Sequence, residues 1–532
     1  MPEKTRSERI KENFKYLGKN ITEVILPVIG LCGLSGIIVG LLVGFFNYGA
    51  KILIKYSKVV YGLVAEHLAF LPLLLLGLGI LAIAMAYLHK WAPETRGSGI
   101  PQTEGMMRGM VGFKPLRMIV GMIAGSAISF FAGLPVGAEG PSVQIGASTS
   151  QAVSNMFKSK LAWQRYVISA GAGAAFAVAF AAPLSGLVFV LEEGHRRFSP
   201  VLLLSTVVSI TLGFMTHRLM GTITGLWNAD YAYFGFADFE VVTYRQILTL
   251  IGVGVFCGIS AIIFNYLLIH SQRGSDKQEK TFPYWARLLV IFIIVGITGV
   301  FFNDVNYSGF DLIHAVSIRS FDTWMLLLLL VVKFSLILLC FNSGATGGLF
   351  IPMLSVGALI GAIVADLGIL SGYLDPAYYV SVVCIGMTTF FGASVRAPLT
   401  AIVLIVELSN YEAKFLPPMI SIITAFIIAE IFGSKPLYDS MLERLKKIFA
   451  NYHKVEMEDI DIEVVDGAFI SGKKISDILW PIDTLVVSVQ RGDEKIVPDG
   501  GTIVRVGDVL TIQVETGNKE RTTRYLNNLI TG

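Results

Sequence analysis

The sequence predicts an all-α polytopic membrane protein with an inverted-topology internal repeat, followed by a small α+β domain. Charged residues make up 15% of the 532 residues and hydrophobic residues 54%, whereas soluble domains carry roughly 25% charged residues. Apolar runs at 25–46, 71–87 and 288–302 approach or reach the roughly 20 residues that a helix needs to cross a bilayer. We therefore expect a transmembrane domain over residues 25–445.

The repeat is visible in two pairs of segments. Segment 137–147 aligns without gaps with segment 348–358, so that a glycine, a proline and the closing Gly-Ala fall in register. Segment 182–192 aligns in the same way with segment 397–407. Each copy interrupts apolar sequence with glycine and proline, and broken helices at matching places in two halves point to a transport site near the bilayer midplane. The pattern predicts a transporter or a channel.

Clusters of basic residues predict the orientation in the membrane. They precede the first apolar run and recur at 158–165, 196–197 and 444–447. By the positive-inside rule these clusters lie in the cytoplasm. We expect a multi-pass protein of the cell inner (plasma) membrane with both termini in the cytosol and a cytosolic N-terminal segment at 1–24. The net charge of +3 gives no reason to expect a nucleic-acid partner.

The sequence gives little support to an enzyme. Glu192 and His195 have the Glu-x-x-His spacing of carboxylate-bridged metal sites, but such sites need two copies, and no histidine follows Glu407. An intramembrane metalloenzyme is therefore a remote alternative, and we expect no cofactor. The spacing of the cysteines favours packing roles over metal or disulfide roles; they are Cys32, Cys257, Cys340 and Cys384.

The character of the sequence changes after Tyr452, where the long apolar runs stop. Alternating segments bounded by turn residues predict β-strands, at 461–465, 484–490, 502–504 and 509–514. Segment 475–479 predicts a short helix. We expect a cytosolic domain at 455–532, joined by a linker at 446–454. Because a domain of about 75 residues is marginal alone, we expect it to pair across a homodimer.

Three glycine motifs share one physical design, at 97–101, 137–141 and 348–352. Glycine lets the backbone approach a ligand closely, and proline just inside a helix start wastes no hydrogen-bond donor. The start of the helix then offers free N–H groups and the positive end of the helix dipole. Several such ends that converge would bind an anion.

The three motifs in this order, with the segment Lys435-Pro436-Leu437-Tyr438, resemble the CLC family of chloride channels and chloride/proton antiporters. The resemblance covers residues from about 25 to 450. It implies that chloride is bound by residues of the first motif, the third motif and the 435–438 segment, namely Ser98, Gly99, Leu349, Phe350 and Tyr438.

Two positions refine what the resemblance implies about the anion. Ser98 stands where fluoride-selective relatives carry Met and nitrate-selective plant relatives carry Pro, which indicates chloride. Ala138 stands where the family commonly has Arg or Lys, so we expect a less positive extracellular entrance.

Two glutamates carry the proton part of the prediction. A carboxylate inside the membrane is costly unless it is paired, protonated or functional, and Glu139 begins a helix where an anion would otherwise lie. The resemblance implies that Glu139 is the gate and outer proton carrier and that Glu193 is the inner proton carrier. Each glutamate has a purely structural alternative. Glu139 could interact with the dipole of its own helix, and Glu193 could lie at a solvated helix end and pair with Arg196.

We therefore expect a secondary active transporter that exchanges chloride for protons. The alternative is a passive voltage- or pH-gated chloride channel, which would share every anion ligand and differ in whether Glu193 moves protons.

The C-terminal segment resembles the C-terminal subdomain of RCK/TrkA regulators of potassium transport, mainly at 496–502 and 506–510. This resemblance implies a small regulator bound at a dimer interface, in some relatives cyclic di-AMP. A dimer clamp without a ligand is the alternative.

Overall fold

The computed structural model describes residues 26–159, 161–196, 198–227, 246–278, 283–409, 416–449, 457–481, 484–515 and 519–530. The predicted N-terminal segment and residues 450–454 of the predicted linker lie outside these ranges. Within them, eight helices are long and apolar enough to cross a membrane.

The first part of the chain is helical, and its helices fall into two series. The first series contains α1 (Leu26–Glu66), α2 (Leu71–Trp91), α3 (Ile100–Met107), α4 (Pro115–Phe131), α5 (Glu139–Met156), α6 (Leu161–Phe180), α7 (Pro183–Phe189) and α8 (Pro200–Thr224). The second series contains α9 (Ile247–Gln278), α10 (Tyr284–Phe301), α11 (Phe310–Ser317), α12 (Thr323–Ser343), α13 (Phe350–Leu370), α14 (Tyr379–Val395), α15 (Pro398–Ser409), α16 (Leu416–Ile431) and α17 (Leu437–Phe449).

Proline and glycine set several helix boundaries. Pro115, Pro183 and Pro200 each occupy the first position of a helix, where the missing N–H group costs no hydrogen bond. Helix α12 ends before Gly344, whose φ of 79° lies in the left-handed region that glycine adopts without a Cβ penalty. The broken apolar runs of the sequence thereby become separate short helices.

The two halves meet at the predicted repeat motifs. Helix α5 begins at Glu139 and α13 at Phe350, which are equivalent positions of the predicted alignment. Gly137 and Gly348 form an antiparallel bridge in which each N–H group donates to the other residue's carbonyl oxygen, at 2.8 Å and 2.7 Å. The inverted repeat predicted from the sequence is confirmed.

A second pair of contacts between the halves is reciprocal. Glu407 accepts hydrogen bonds from the N–H groups of Leu184 and Ser185 at 2.8 Å and 2.7 Å. Glu192 accepts from the N–H groups of Leu399 and Thr400 at 3.0 Å and 2.7 Å. Each carboxylate thus caps a helix start in the opposite repeat, where negative charge is stabilising.

Close glycine contacts repeat in the same way. A Cβ added at Gly146 would lie 2.7 Å from the carbonyl oxygen of Gly171, and one added at Gly357 would lie 2.4 Å from that of Gly386. Small residues let membrane helices approach closely. The pairs α5/α6 and α13/α14 therefore pack as equivalent units of the repeat.

The C-terminal domain contains an antiparallel sheet in the order β1-β4-β2-β3. Its strands are β1 (Met457–Glu463), β2 (Thr484–Arg491), β3 (Glu494–Ile496) and β4 (Asp508–Glu515), and a helix α18 (Lys519–Ile530) follows. Apolar side chains from these elements form its buried core, among them Ile462, Val489, Leu510, Ile512 and Leu526.

Three details of this domain differ from the sequence-based expectation. Segment 502–504 forms only an isolated bridge between Lys474 and Ile503, because β2 is already paired with β4 on one side and with β3 on the other. The predicted helix at 475–479 is a single 3-10 turn, Ile475–Asp477. Helix α18 was not predicted because its sequence is largely polar, although Thr522, Leu526 and Leu529 are buried at helical spacing.

Candidate functional site

The three glycine motifs converge, as the sequence predicts. The N–H group of Gly347 donates to the carbonyl oxygen of Gly97 at 3.1 Å. A Cβ added at Gly140 would lie 2.1 Å from the carbonyl oxygen of Ser98 and 2.9 Å from the Cα of Gly348. The motifs are therefore packed backbone to backbone, which no residue larger than glycine permits at these positions.

The starts of α5 and α13 supply backbone donors to this region. Leu349 caps α13 and Phe350 is its first residue, and the N–H groups of the first helical turn have no acceptor within their own helix. The Phe350 ring lies 4.5 Å from that of Phe180 and 4.2 Å from that of Phe391, measured between centroids. These rings exclude water, and hydrogen bonds are electrostatically stronger in such surroundings.

Two buried hydroxyl groups belong to the same region. Ser98 is 1% exposed and Tyr438 is fully buried. Within the described part of the chain, neither the Ser98 Oγ nor the Tyr438 hydroxyl oxygen has a hydrogen-bond partner. Because buried polar atoms are nearly always paired, both groups require a partner, and a hydroxyl group can donate to a halide.

Gly99 differs from the other residues that the family resemblance assigns to chloride. Its φ is 86°, and its N–H group donates to the side-chain oxygen of Gln102 at 3.1 Å. A Cβ at this position would lie 2.7 Å from the carbonyl oxygen of Gly140. Gly99 therefore contributes its conformation and its small size, because its backbone donor is already engaged.

Glu139 lies directly over the start of its own helix. It is the first residue of α5 and is 3% exposed. Its Oε2 atom would lie 2.1 Å from a Cβ added at Gly137, so the side chain folds back over that glycine. The missing side chain of Gly137 thus makes room for a carboxylate beside the positive end of the helix dipole.

Glu193 is buried as well. It belongs to a π-helical segment, Val190–His195, that continues α7, and it is 1% exposed. Arg196 forms its ion pair with Asp439, at 2.6 Å. The alternative reading of Glu193 as a solvated helix end paired with Arg196 is therefore wrong.

Sequence reasoning missed Glu104. This residue lies on α3 and is fully buried. Its Oε2 atom lies 3.7 Å from the Arg108 Nη2 atom, which also donates to the carbonyl oxygen of Glu193. The sequence feature that could have identified Glu104 is a glutamate within the membrane domain, four residues before Arg108 on the helix that begins after Ser98.

Arg108 joins three elements around these carboxyl groups. Its Nη1 donates to Asp439 Oδ1 at 2.8 Å, its Nη2 to the carbonyl oxygen of Glu193 at 2.6 Å, and its Nε to that of Gly194 at 3.0 Å. Asp439 follows Tyr438 directly on α17, which packs against α3. One guanidinium group therefore fixes α3, α17 and the π-helical segment relative to one another.

The Glu-x-x-His pair has structural partners. Glu192 caps the start of α15, as described above, and the Nε2 atom of His195 lies 2.6 Å from Ser169 Oγ. Among the described residues, no group of three or more His, Cys, Asp or Glu side chains is placed to hold a metal ion. All four cysteines are buried thiols.

An inverted repeat in the membrane, with helix starts that meet beside buried hydroxyl and carboxyl groups, is the architecture of an ion transporter. The chain belongs to the voltage gated chloride channel family, which matches residues 78–430, and a TrkA-C domain matches residues 460–527. The family is one of transporters and antiporters, so the protein is not an enzyme.

Named relatives and solved structures are similar over most of their length. The H(+)/Cl(-) exchange transporter ClcA of Vibrio cholerae is 30% identical over 457 residues, 84% of this chain and 94% of the relative. ClcA of Yersinia pestis is 29% identical over 79% of this chain and 88% of the relative. The crystal structure of a slow cyanobacterial Cl-/H+ antiporter is 28% identical, with a TM-score of 0.72, over 79% of this chain and 98% of that one.

Proposed function

We propose that this protein is a secondary active transporter that exchanges chloride for protons across the cell membrane. One observation carries the proposal. The buried Ser98 hydroxyl, a candidate anion ligand without a hydrogen-bond partner among the described residues, belongs to the residue whose backbone packs against Gly140, directly beside the candidate proton carrier Glu139. Anion and proton can therefore influence each other directly.

The anion part of the site uses weak, reversible donors. Ser98 Oγ, the Tyr438 hydroxyl and the N–H groups of Leu349 and Phe350 would surround chloride, while Gly99 keeps the backbone close. Helix starts bind anions through N–H groups and the dipole. Because none of these groups is a full positive charge, chloride can leave as readily as it enters. A serine at position 98 favours chloride over fluoride or nitrate.

The gate is a competition for one position. The ionised Glu139 carboxylate, folded over the start of α5, is the anion that these N–H groups would otherwise receive from solution. Protonation removes the charge that holds the side chain there, so the side chain would leave and chloride would take its place. Each exchange of the two anions would then consume or release one proton at Glu139.

The inner carboxyl group favours an exchanger over a channel. Channels of this family usually carry an apolar residue at the position of Glu193, whereas this chain has a buried carboxyl group there. A carboxyl group inside the membrane domain is costly unless it is paired, protonated or functional. The names of the curated relatives, which are exchange transporters, support the same choice.

We extend the proposal to the assembly. Dimers are typical of the family, so we propose a homodimer with one pathway per subunit and both termini in the cytosol. We propose domain boundaries at 25–445 and 455–532, with a linker at 446–454 into which α17 extends as far as Phe449. A nucleotide such as cyclic di-AMP would bind between the paired C-terminal domains, and a clamp without a ligand is the alternative.

The test is uphill proton movement driven by chloride. Purified protein in liposomes, given an outward chloride gradient and no pH gradient, should take up protons against the resulting potential, as an enclosed pH dye reports. Glu193→Val should keep chloride flux and lose proton uptake by about 100-fold or more, because it removes an acid–base group from the proton path.

The exposed Glu66 provides the matched control, and Glu66→Gln should behave as wild type. Equal proton uptake in the Glu193→Val and wild-type proteins would exclude Glu193 as a carrier. Chloride flux without any proton uptake in the wild type would favour the channel alternative.

A further inference from the structure

Arg165 connects the C-terminal domain to the membrane domain. It lies near the start of α6 and is 7% exposed. Its Nε donates to the carbonyl oxygen of Met107 at 3.0 Å, and its Nη1 donates to those of Leu479 and Trp480 at 2.9 Å and 2.7 Å. Because a guanidinium group is a rigid planar fork, it fixes these three carbonyl groups relative to one another.

The Met107 carbonyl group belongs to the end of α3. The last carbonyl groups of a helix have no donor within the helix, and a cation at that end is stabilising. Helix α3 has eight residues and is therefore about 12 Å long. It begins two residues after Ser98 and carries Glu104, so a displacement of its end at Met107 moves both groups with it.

The C-terminal domain holds Arg165 from the other side. The Tyr525 hydroxyl donates to the carbonyl oxygen of Leu479 at 2.9 Å, and the Tyr525 ring centroid lies 5.7 Å from the guanidinium carbon of Arg165. The ring of Phe469 packs edge-on against that of Tyr166, at 5.8 Å. The domain is therefore docked on α6 through both apolar and charged contacts.

We propose that Arg165 is a positioning residue that couples the C-terminal domain to the anion site through α3. While the carbonyl groups at 479 and 480 hold the guanidinium group, α3 is fixed and Ser98 stays in place for chloride. When the domain shifts, this hold loosens and the affinity for chloride falls. The inference rests on the proposed function because it takes Ser98 as a chloride ligand.

A double-mutant cycle in the full-length protein tests the coupling. Chloride flux is measured in liposomes as a function of chloride concentration for Arg165→Met, Tyr525→Phe and the double variant. Tyr525→Phe keeps the ring and removes one hydroxyl group in the C-terminal domain, and Tyr525 is not among the proposed chloride ligands. Residues in one network show coupling energies of 0.5 kcal/mol and more. We expect each single change to raise the KM for chloride about two- to threefold with little change in maximal rate.

The cycle has a defined outcome in each direction. In the double variant the KM should equal that of Arg165→Met alone, because Tyr525 acts only through Arg165. Arg165→Lys keeps the charge but not the fork, so it should raise the KM as well, and it replaces Arg165→Met in the cycle if that variant does not assemble. Lys474→Met, an exposed change on the same domain, should leave the KM unchanged.

Two results would overturn the coupling. The first is an unchanged KM for chloride in the Tyr525→Phe protein. The second is a double variant in which the effects of the two single changes on the KM add. A wild-type protein without chloride flux would instead refute the proposed function, so the two failures are distinguishable.

Discussion

At the scale of single residues, the candidate site depends on two glycines, which leave space because they have no side chain. Gly137 leaves the space that the Glu139 carboxylate occupies, and Gly140 leaves the space that the Ser98 carbonyl group occupies. A gate made of one carboxylate over a helix start can respond only to its own protonation and to competing anions. The charge of Glu139 is therefore the quantity to change.

Glu139→Gln should separate chloride flux from proton transport. Glutamine has the shape of the protonated acid but carries no charge and releases no acidic proton, so the anion position should stay open at every pH. We expect chloride flux to persist and lose its pH dependence, while proton transport falls by about 100-fold or more. Paired recordings of chloride efflux and proton uptake in liposomes measure both quantities.

Glu66→Gln again serves as the control, since that side chain is exposed. Proton uptake at the normal rate in the Glu139→Gln protein would contradict the gate assignment and favour a purely electrostatic role at the helix start.

The sequence predicted the residues that lie on recognisable motifs, and it missed those that act through tertiary placement. Ser98, Glu139 and Tyr438 each belong to a motif. Glu104 does not, and a glutamate four residues before an arginine on a helix also fits an ordinary ion pair. Only the approach of the π-helical segment and α17 shows that Glu104 adjoins Glu193.

At the scale of elements, several helix starts could be predicted and one helix type could not. Proline and glycine mark the starts of α3, α5, α7 and α13 in the sequence. Glu192 and Glu407, which occupy equivalent positions of the repeat, share one role in the structure, the reciprocal capping described above. The π-helical segment at 190–195 has no sequence signature, because its wider turn depends on the surrounding packing.

The C-terminal domain should become more stable as the pH rises above neutrality. Burial lowers the pKa of Lys473 from its ordinary value of 10.5 to about 7, with Asp477 opposing part of that shift. Its Nζ atom lies 3.2 Å from the centroid of the Phe469 ring. Between pH values of about 7 and 10 the unfolded domain binds more protons than the folded one, so stability rises with pH. Below that window Lys473 is charged in both states.

Protease resistance measures this dependence in the full-length protein. Cleavage within residues 457–530 by an alkaline protease is compared between Lys473→Met and wild type at each pH. The variant should be the more resistant protein near neutrality, and the ratio of rates should approach one near a pH of about 10. The exposed Lys474→Met should give a constant ratio. A constant ratio for Lys473→Met would show that Lys473 titrates normally.

At the scale of the whole molecule, the membrane architecture and the presence of a C-terminal domain follow from the sequence, but the docking of that domain does not. The repeat and the apolar runs specify the inverted fold. Arg165 lies in a basic cluster that indicates only the cytoplasmic side. Its contacts with Leu479 and Trp480 join residues more than 300 positions apart, and no local pattern encodes them.

The reversal potential of wild-type protein in liposomes, under crossed chloride and pH gradients, tests the central claim most directly. An exchanger must reverse at a potential set by both gradients together, because neither ion can complete the cycle alone. We predict that a change in the pH gradient at constant chloride shifts the reversal potential. A reversal potential that stays at the chloride equilibrium value for every pH gradient would contradict chloride/proton exchange and identify a passive chloride channel.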